Sequence, residues 1–233
     1  MAQRPVFIPR FEGELLVETR MVEFTWHPGV TVSQKQKSIA SLHQAAIQQL
    51  GLGTVLEIST KSPVPLGVAL SAFNLAFRTQ SGARALAVEV IYQSAKVFTN
   101  GGPYLDIRDK TSIEAKQDSR LKESGDLRRF ESGGVIWELE PKTAFYDWVY
   151  LNVLRRQPEL AEQVSQYEGF TDIEFNPSKS VNCQAYSVAL FVALAQRQLL
   201  EQALQSRDDF IATITRFLPG ETQSDSGFNR VLL

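Results

Sequence analysis

Apolar residues near the N-terminus alternate in short runs and then change to a helical period. Residues 5–26 hold short apolar runs broken by polar residues and end at a His-Pro-Gly sequence, which predicts a β-hairpin or small sheet closed by a turn. Apolar residues recur on one helical face between Ser33 and Leu50, and Gly51 follows as the expected helix end. Residues 55–59 then predict a strand.

The next segment is predicted to be irregular at first and extended afterwards. Two closely spaced prolines in residues 61–67 disfavour regular structure, so a loop is expected there. Residues 70–75 are predicted to start a further strand, and Ser81-Gly82 is predicted to form a turn.

Residues 87–98 are the stretch around which we interpret the rest of the chain, and they predict a helix that ends before the Asn-Gly-Gly-Pro sequence of residues 100–103. On such a helix Glu89, Gln93 and Lys96 share one polar stripe among mostly apolar neighbours. Two interpretations are open at this point. In the first, the polar stripe of the helix faces water, as charged residues usually do. In the second, the helix places an acid and a base in a cleft.

The second half of the chain alternates charged, apolar and polar segments. They predict an exposed charged helix and loop over 104–134, a short strand over 136–139, an apolar helix over 143–154, a helix over 158–167, a strand over 170–175 and a long helix over 181–206. The whole pattern predicts an α+β fold with a small N-terminal hairpin or sheet, short strands and many helices. We expect a single domain over residues 1–218, on which residues 1–60 pack as an N-terminal extension, and a flexible C-terminal tail over residues 219–233.

The composition is that of a soluble globular protein and excludes several functional classes. The 233 residues are 43% hydrophobic and 21% charged, and a net charge of −2 lacks the strongly basic character of a general nucleic-acid binder. The single cysteine, Cys183, excludes an intramolecular disulfide and a thiolate zinc cage. The N-terminus lacks a signal peptide and no run reaches the ~20 apolar residues of a membrane span, so we expect a cytoplasmic protein with no membrane partner.

Few catalytic side chains remain to be considered. His27 and His43 are far apart in the chain, and we expect both to be solvated, with no metal site. Cys183 opens the predicted last helix and could be a thiolate there, although a small buried hydrophobic residue is the favoured interpretation. Neither a phosphate-binding loop nor a dinucleotide fingerprint occurs, so no cofactor is expected.

The remaining candidate catalytic groups are carboxylates and lysines. Glu89 and Lys96 are the carboxylate and the lysine on the polar stripe described above. A carboxylic acid can protonate a leaving group and a carboxylate can activate water, and both steps serve the cleavage of a glycosidic bond. A desolvated lysine could instead attack a ring-opened sugar as an amine nucleophile.

Several motifs resemble one known family. Residues 88–98, Val-Glu-Val-Ile-Tyr-Gln-Ser-Ala-Lys-Val-Phe, resemble the Ser-Glu-x-x-aromatic-Gln-x-x-Lys-Phe helix of the NADAR superfamily, the NAD- and ADP-ribose-associated N-glycosidases. Residues 70–74, Leu-Ser-Ala-Phe-Asn, resemble its Leu-Ser-Asn-Phe segment. The segments that resemble the branch accompanying DarT-type DNA ADP-ribosyltransferase toxins are residues 4–9, 34–38, 142–148 and 175–187.

This resemblance implies an antitoxin enzyme that removes ADP-ribose from guanine bases in DNA. ADP-ribosylated DNA would be the substrate, ADP-ribose the product and the cognate toxin a candidate partner. Glu89 would be the catalytic acid and base, and Lys96 would either orient Glu89 and phosphate or act as an amine nucleophile. The residues that would hold the ADP-ribosyl group or the modified base are Ser71, Phe73, Asn74, Gln93, Arg129, Phe130, Asp172, Asn176 and Asn182.

The chain departs from the commoner family members at three points. Val90 stands where they carry a histidine, Phe130 stands where they carry a tryptophan after the basic pair, and their Trp-Gly near the last helix has no clear counterpart here. Two other functions stay open: an N-glycosidase of a small riboflavin-pathway or ADP-ribose metabolite, and a non-catalytic module that binds ADP-ribose or the toxin.

Overall fold

The computed structural model describes residues 2–78, 85–178 and 180–217. The predicted turn at Ser81-Gly82 and the predicted tail over 219–233 lie outside these residues. In chain order the elements are β1 (Ala2–Pro9), β2 (Val17–Phe24), α1 (Val32–Leu50), β3 (Val55–Glu57), α2 (Pro65–Ala69), β4 (Ala76–Arg78), β5 (Ala85–Ala87), α3 (Val88–Ser94), β6 (Lys96–Phe98), a 3₁₀ turn (Leu105–Asp109), α4 (Ser112–Lys116), α5 (Arg120–Glu123), β7 (Leu127–Ser132), β8 (Val135–Trp137), α6 (Ala144–Leu154), α7 (Pro158–Val164), β9 (Gly169–Thr171), α8 (Gln184–Gln196), α9 (Leu200–Ala203) and α10 (Arg207–Arg216).

The largest sheet joins the N-terminal hairpin to a strand from the far end of the chain. Its strand order is β2-β1-β9-β3, in which β1 and β2 pair antiparallel, β1 meets β9 antiparallel, and β3 runs parallel to β9. Small sheets formed by β4-β5 and by β6-β7-β8 complete the strand content of the described residues. Separate small sheets among many helices confirm the predicted α+β class.

The predicted hairpin and first helix are confirmed, and their sequence explains them. Thr31 caps the start of α1 by accepting a hydrogen bond from the Gln34 amide, and Gly51 ends the helix in the left-handed conformation at φ 68°. The apolar face of α1 packs on one face of the hairpin. The buried residues of this layer are Val6, Ile8, Val22, Phe24, Ile39, Leu42, Ala46 and Ile173.

The predicted helix over residues 87–98 is shorter in the structure. Helix α3 ends at Ser94, and residues from Lys96 onward form β6, which pairs antiparallel with β7 so that Lys96 lies opposite Phe130. The β-branched and aromatic residues Val97 and Phe98 favour this pairing over a further helical turn.

Four other segments also differ from prediction. Within the predicted helix and loop over 104–134, residues Leu127–Ser132 form strand β7. Pro65 begins α2 instead of lying in a loop, because proline is favoured in the first helical turn, where no N–H is needed. Residues 70–75 form turns that lead into β4 and not a strand. The long helix predicted over 181–206 is divided into α8 and α9, and Gln198, between them, has a φ of 58° that no continuous helix permits.

Helices α6 and α8 cross the centre of the main core. Both are apolar on almost every face, and most of their residues are buried. An aromatic cluster lies beside α6. Its central ring, Phe145, stacks on Phe130 with 4.7 Å between ring centres, and its ring centre lies 5.6 Å from that of Trp137. Within the described part of the chain, no helix combines the length and the apolar character needed to cross a bilayer.

Tyr150, on α6, is a polar anchor within this core. Its side chain is fully buried, and its hydroxyl donates a hydrogen bond to the Leu70 carbonyl at 2.5 Å. The bond fixes the backbone that follows α2 against α6. Loss of the donor would leave a buried carbonyl without this partner.

We therefore expect Tyr150→Phe to lower the free energy of unfolding by about 1–3 kcal/mol, measured by chemical denaturation. Tyr167→Phe is the matched control, because the Tyr167 hydroxyl forms no hydrogen bond with the described residues and the side chain is only half-buried. Equal stability of the two variants would contradict an anchoring role for Tyr150.

Candidate active site

The backbone of residues 70–76 forms one wall of the site and is tied to the start of α3. The Ala72 carbonyl accepts a hydrogen bond from the Glu89 amide at 2.9 Å, and the Leu75 carbonyl accepts one from the Val88 amide at 2.9 Å. Helix α3 has no side-chain cap at its start. These two carbonyls therefore satisfy N–H groups that a helix start leaves free, and they fix the helix relative to the turn.

Glu89 lies in the first turn of α3 and is 6% exposed. Its Oε1 accepts a hydrogen bond from Gln93 Nε2 at 2.9 Å, one helical turn further on. A buried carboxyl group needs such a donor, and the i, i+4 spacing supplies it locally. Burial supports the prediction of an inward-facing carboxyl and excludes the alternative of a stripe in water for Glu89.

Lys96 reaches the same region from the first position of β6. Its Nζ lies 4.7 Å from the centre of the Tyr92 ring, a cation–π contact. Burial lowers the pKa of Lys96 to about 8, with the nearby Glu89 carboxylate acting to raise it and Lys116 to lower it. An amine with this pKa is partly neutral at physiological pH, which is the state that a nucleophile requires.

Two buried acceptor atoms near these groups have no hydrogen-bond partner within the described residues. They are Gln93 Oε1, on the side chain that binds Glu89, and Asn182 Oδ1. Asn182 lies just before α8, and its Nδ2 donates to the Tyr92 hydroxyl at 2.7 Å. Buried acceptors are normally satisfied, so these two oxygens indicate a place for hydrogen-bond donors of a bound molecule.

The three predicted residues of the turn differ in exposure. Ser71 is buried, Phe73 is half-buried and Asn74 is exposed. Phe73 and Asn74 line an open cleft of about 480 Å³ together with residues 110–113. The Nζ of Lys116 lies 5.0 Å from the centre of the Phe73 ring, which places a second ammonium group at this edge.

Arg129 and Phe130, on β7, have protein partners. Arg129 forms an ion pair with Glu131 at 2.6 Å and its side chain is 41% exposed. Phe130 is 3% exposed and packs between the rings of Tyr92 and Phe145. A ring enclosed in this way has no free face for a base, so we do not retain Phe130 as a stacking residue.

Asp172 and Asn176 are likewise engaged by the protein. Asp172 is 7% exposed, and its Oδ1 accepts hydrogen bonds from the Glu174 amide at 3.0 Å and the Phe175 amide at 3.2 Å. Asn176 Oδ1 accepts from both the amide and the hydroxyl of Ser178. Both side chains thus hold the turn after β9, and we do not retain them as substrate contacts.

A buried polar network lies next to Asp172, and no sequence pattern indicates it. Glu57, fully buried, accepts hydrogen bonds from Ser59, Thr171 and the Ile173 amide, and burial raises its pKa. His43 Nε2 lies 2.9 Å from Thr171 Oγ1, and burial lowers the pKa of His43 to about 4. The expectation that His43 is solvated was wrong, because its helix face packs on the sheet.

Cys183 is the residue that precedes the first turn of α8. It is 4% exposed, and burial raises the pKa of its thiol well above the usual value. The favoured interpretation of Cys183 as a small buried residue is consistent with this environment, which disfavours a thiolate.

A family model for the DarT1-associated NADAR antitoxins matches residues 2–224. The chain belongs to this family. The resemblance to the DarT-associated branch of the NADAR superfamily is therefore confirmed, and the match spans both the N-terminal sheet and the segments around Glu89 and Lys96. A search of curated proteins finds no match.

Three side chains of this candidate site that contact the predicted residues or their backbone were not predicted from the sequence. Tyr92 lies under Lys96, Lys116 lies at the ring of Phe73, and Gln184 binds the Ala72 amide through Oε1 at 2.8 Å. The aromatic position within the NADAR helix motif is a signal for Tyr92. No local pattern marks Gln184, because its partner is 112 positions away in the chain.

The pKa of Lys96 is expected to respond to its two charged neighbours in opposite directions. Glu89→Gln should lower it, because the variant loses the carboxylate that favours the ammonium form, and Lys116→Met should raise it, because the variant loses a competing ammonium. NMR titration of protein with ¹³C-methylated lysines measures both shifts. A wild-type Lys96 that titrates near 10.5, or a shift in the same direction in both variants, would contradict this environment.

The same lowered pKa predicts how stability changes with pH. Between about 8 and 10.5 the unfolded chain holds a proton on Lys96 that the folded chain has lost, so the free energy of unfolding should rise with pH across this window. Denaturation at several pH values should show a smaller rise for Lys96→Met than for wild type.

Proposed function

We propose that this chain is an antitoxin enzyme that removes ADP-ribose from guanine bases in DNA, reversing the action of a DarT-type toxin. The observation that carries the proposal is a buried carboxyl group, Glu89, close to a lysine whose pKa is lowered to about 8. Membership of the DarT1-associated NADAR antitoxin family supports the biological role. Acid and amine groups in one desolvated region are suited to cleavage of an N-glycosidic bond.

Glu89 acts in this proposal as the general acid and base. In its protonated form it gives a proton to the ribose ring oxygen as the ring opens, and as a carboxylate it later activates water. Gln93 holds Oε1 of the carboxyl group, which fixes the direction of the proton transfer.

Lys96 acts as the amine nucleophile. Opening of the ring breaks the bond from C1″ to the ring oxygen and leaves C1″ doubly bonded to the guanine nitrogen. The neutral amine adds to C1″, and the electron pair of the double bond returns to the guanine nitrogen. The proton that the attacking nitrogen loses passes to the Glu89 carboxylate and then to the guanine nitrogen. The bond from C1″ to that nitrogen breaks, and the guanine leaves. Water then adds to the resulting imine, which releases ADP-ribose and restores the amine, so no oxidant or reductant is consumed.

Gln93 Oε1 and Asn182 Oδ1 are the proposed acceptors for substrate N–H or O–H groups, since both are buried and without a partner in the described residues. The turn that carries Ser71, Phe73 and Asn74 is proposed to bound the ADP-ribosyl group, because its backbone is joined directly to the start of α3.

Arg129 lies on the neighbouring sheet with its guanidinium partly exposed. A phosphate contact at this residue stays a prediction, since the guanidinium is already paired with Glu131.

Glu89→Gln should reduce the release of ADP-ribose from guanine-modified DNA by about 10²- to 10⁴-fold, because the variant keeps the shape of the side chain and loses its proton transfer. Product is measured by mass spectrometry after incubation with modified oligonucleotide. Glu162→Gln, on the exposed face of α7, is the control and should keep wild-type activity.

Four results would contradict the proposal. Modification that persists with wild-type protein, or equal rates for wild type and Glu89→Gln, would remove the enzymatic role of Glu89. Release of ribose phosphate from a phosphorylated riboflavin-pathway intermediate, with none from DNA, would select the small-metabolite glycosidase. Tight binding of ADP-ribose or toxin without turnover, unchanged in Glu89→Gln, would select a binding module.

Borohydride added during turnover should reduce the imine and leave an ADP-ribosyl adduct on the peptide that contains Lys96. Lys116→Gln should still form the adduct, whereas Lys96→Gln should not, which separates the two neighbouring amines. An active enzyme that yields no adduct would limit Lys96 to an electrostatic role.

A further inference from the structure

We infer that Gln184 is a positioning residue for Glu89, acting through the backbone of Ala72. The inference rests on the proposed function, in which Glu89 is the catalytic acid and base. It concerns a side chain separate from the two proposed substrate acceptors and from the lysine.

Gln184 is the first residue of α8, and its amide group bridges two segments. Its Oε1 accepts a hydrogen bond from the Ala72 amide at 2.8 Å. The Asp172 carboxyl group lies near this side chain. The hydrogen bond to Ala72 therefore joins the start of α8 to the wall of the active site.

The backbone of Ala72 connects Gln184 to Glu89 through two hydrogen bonds. The Ala72 carbonyl accepts the Glu89 amide at 2.9 Å, so Ala72 is held by Gln184 on one side and holds the first turn of α3 on the other. Ala72 is 3% exposed and Glu89 is 6% exposed. Water cannot readily replace either hydrogen bond at such buried residues. Loss of the Gln184 acceptor should therefore weaken the hydrogen bond between Ala72 and the first turn of α3.

The Ala72 amide determines the orientation of the Gln184 amide group. The Ala72 amide can only donate, so the oxygen of Gln184 must face it. A reversed amide group would place one donor against another at Ala72.

A comparison of two substitutions tests this link directly. Gln184→Met keeps an unbranched side chain of similar length and loses the acceptor for the Ala72 amide. Gln184→Glu keeps a side-chain oxygen that can accept from this amide.

Gln184→Met should speed hydrogen exchange of the Glu89 amide and lower kcat by about tenfold, and Gln184→Glu should keep most of the wild-type protection and kcat. Hydrogen exchange is followed by NMR, and kcat and KM are measured with guanine-modified DNA. Gln157→Met is the control, because Gln157 binds the carbonyl of Ala76 in the same segment at 2.7 Å through a bond separate from Ala72. It should lower stability and leave exchange at Glu89 and kcat close to wild type.

The outcomes distinguish this inference from the proposed function. A Gln184→Met variant that loses only thermal stability, or a Gln184→Glu variant as impaired as Gln184→Met, would overturn the positioning role. If exchange at Glu89 is faster in Gln184→Met and not in Gln184→Glu while wild-type protein releases no ADP-ribose, the link from Gln184 to Glu89 is supported and the proposed function fails.

Discussion

The hydrogen bond from the Glu89 amide to the Ala72 carbonyl joins the two segments on which the candidate site depends. One segment is a turn with no regular structure, and the other is a helix of seven residues without a side-chain cap. Neither would hold its shape alone, since short helices and turns are marginal in water. Together they satisfy each other's buried backbone groups, and this constraint fixes the direction of the Glu89 side chain.

The polar groups of the site are arranged at the edge of an aromatic core, which raises the cost of every unpaired charge. Lys96 rests on the ring of Tyr92, and Tyr92 in turn packs on Phe130. Burial makes the ammonium form of Lys96 less favourable, and this same burial makes the amine available for chemistry. The destabilising environment of the lysine and its proposed reactivity thus have one physical origin.

Local patterns in the sequence predict the elements whose partners are close in the chain. The hairpin and α1 follow from the periodicity of apolar residues, and α6 follows from a continuous apolar segment. The hydrogen bond between side chains one turn apart on α3 follows from their spacing. Lys96 shows the limit of such patterns, because its strand conformation depends on pairing with the distant Phe130. Two further features arise only from tertiary packing, which no spacing along the chain encodes. They are the contact of Phe130 with Phe145 and the hydrogen bond between Gln184 and Ala72, which lie 112 positions apart.

The net charge of −2 bears on how such a protein would approach DNA. Charges act over about 8 Å at physiological ionic strength, so attraction to a phosphate must come from cations beside the site and not from the whole molecule. A phosphate that paired with Lys96 would raise its pKa and reduce the free amine, so phosphate binding and nucleophilic attack oppose each other at this one residue. A phosphate paired with Lys116, at the ring of Phe73, would instead neutralise the competing ammonium. Burial and the Glu89 carboxylate would then set the pKa of Lys96, the proposed nucleophile.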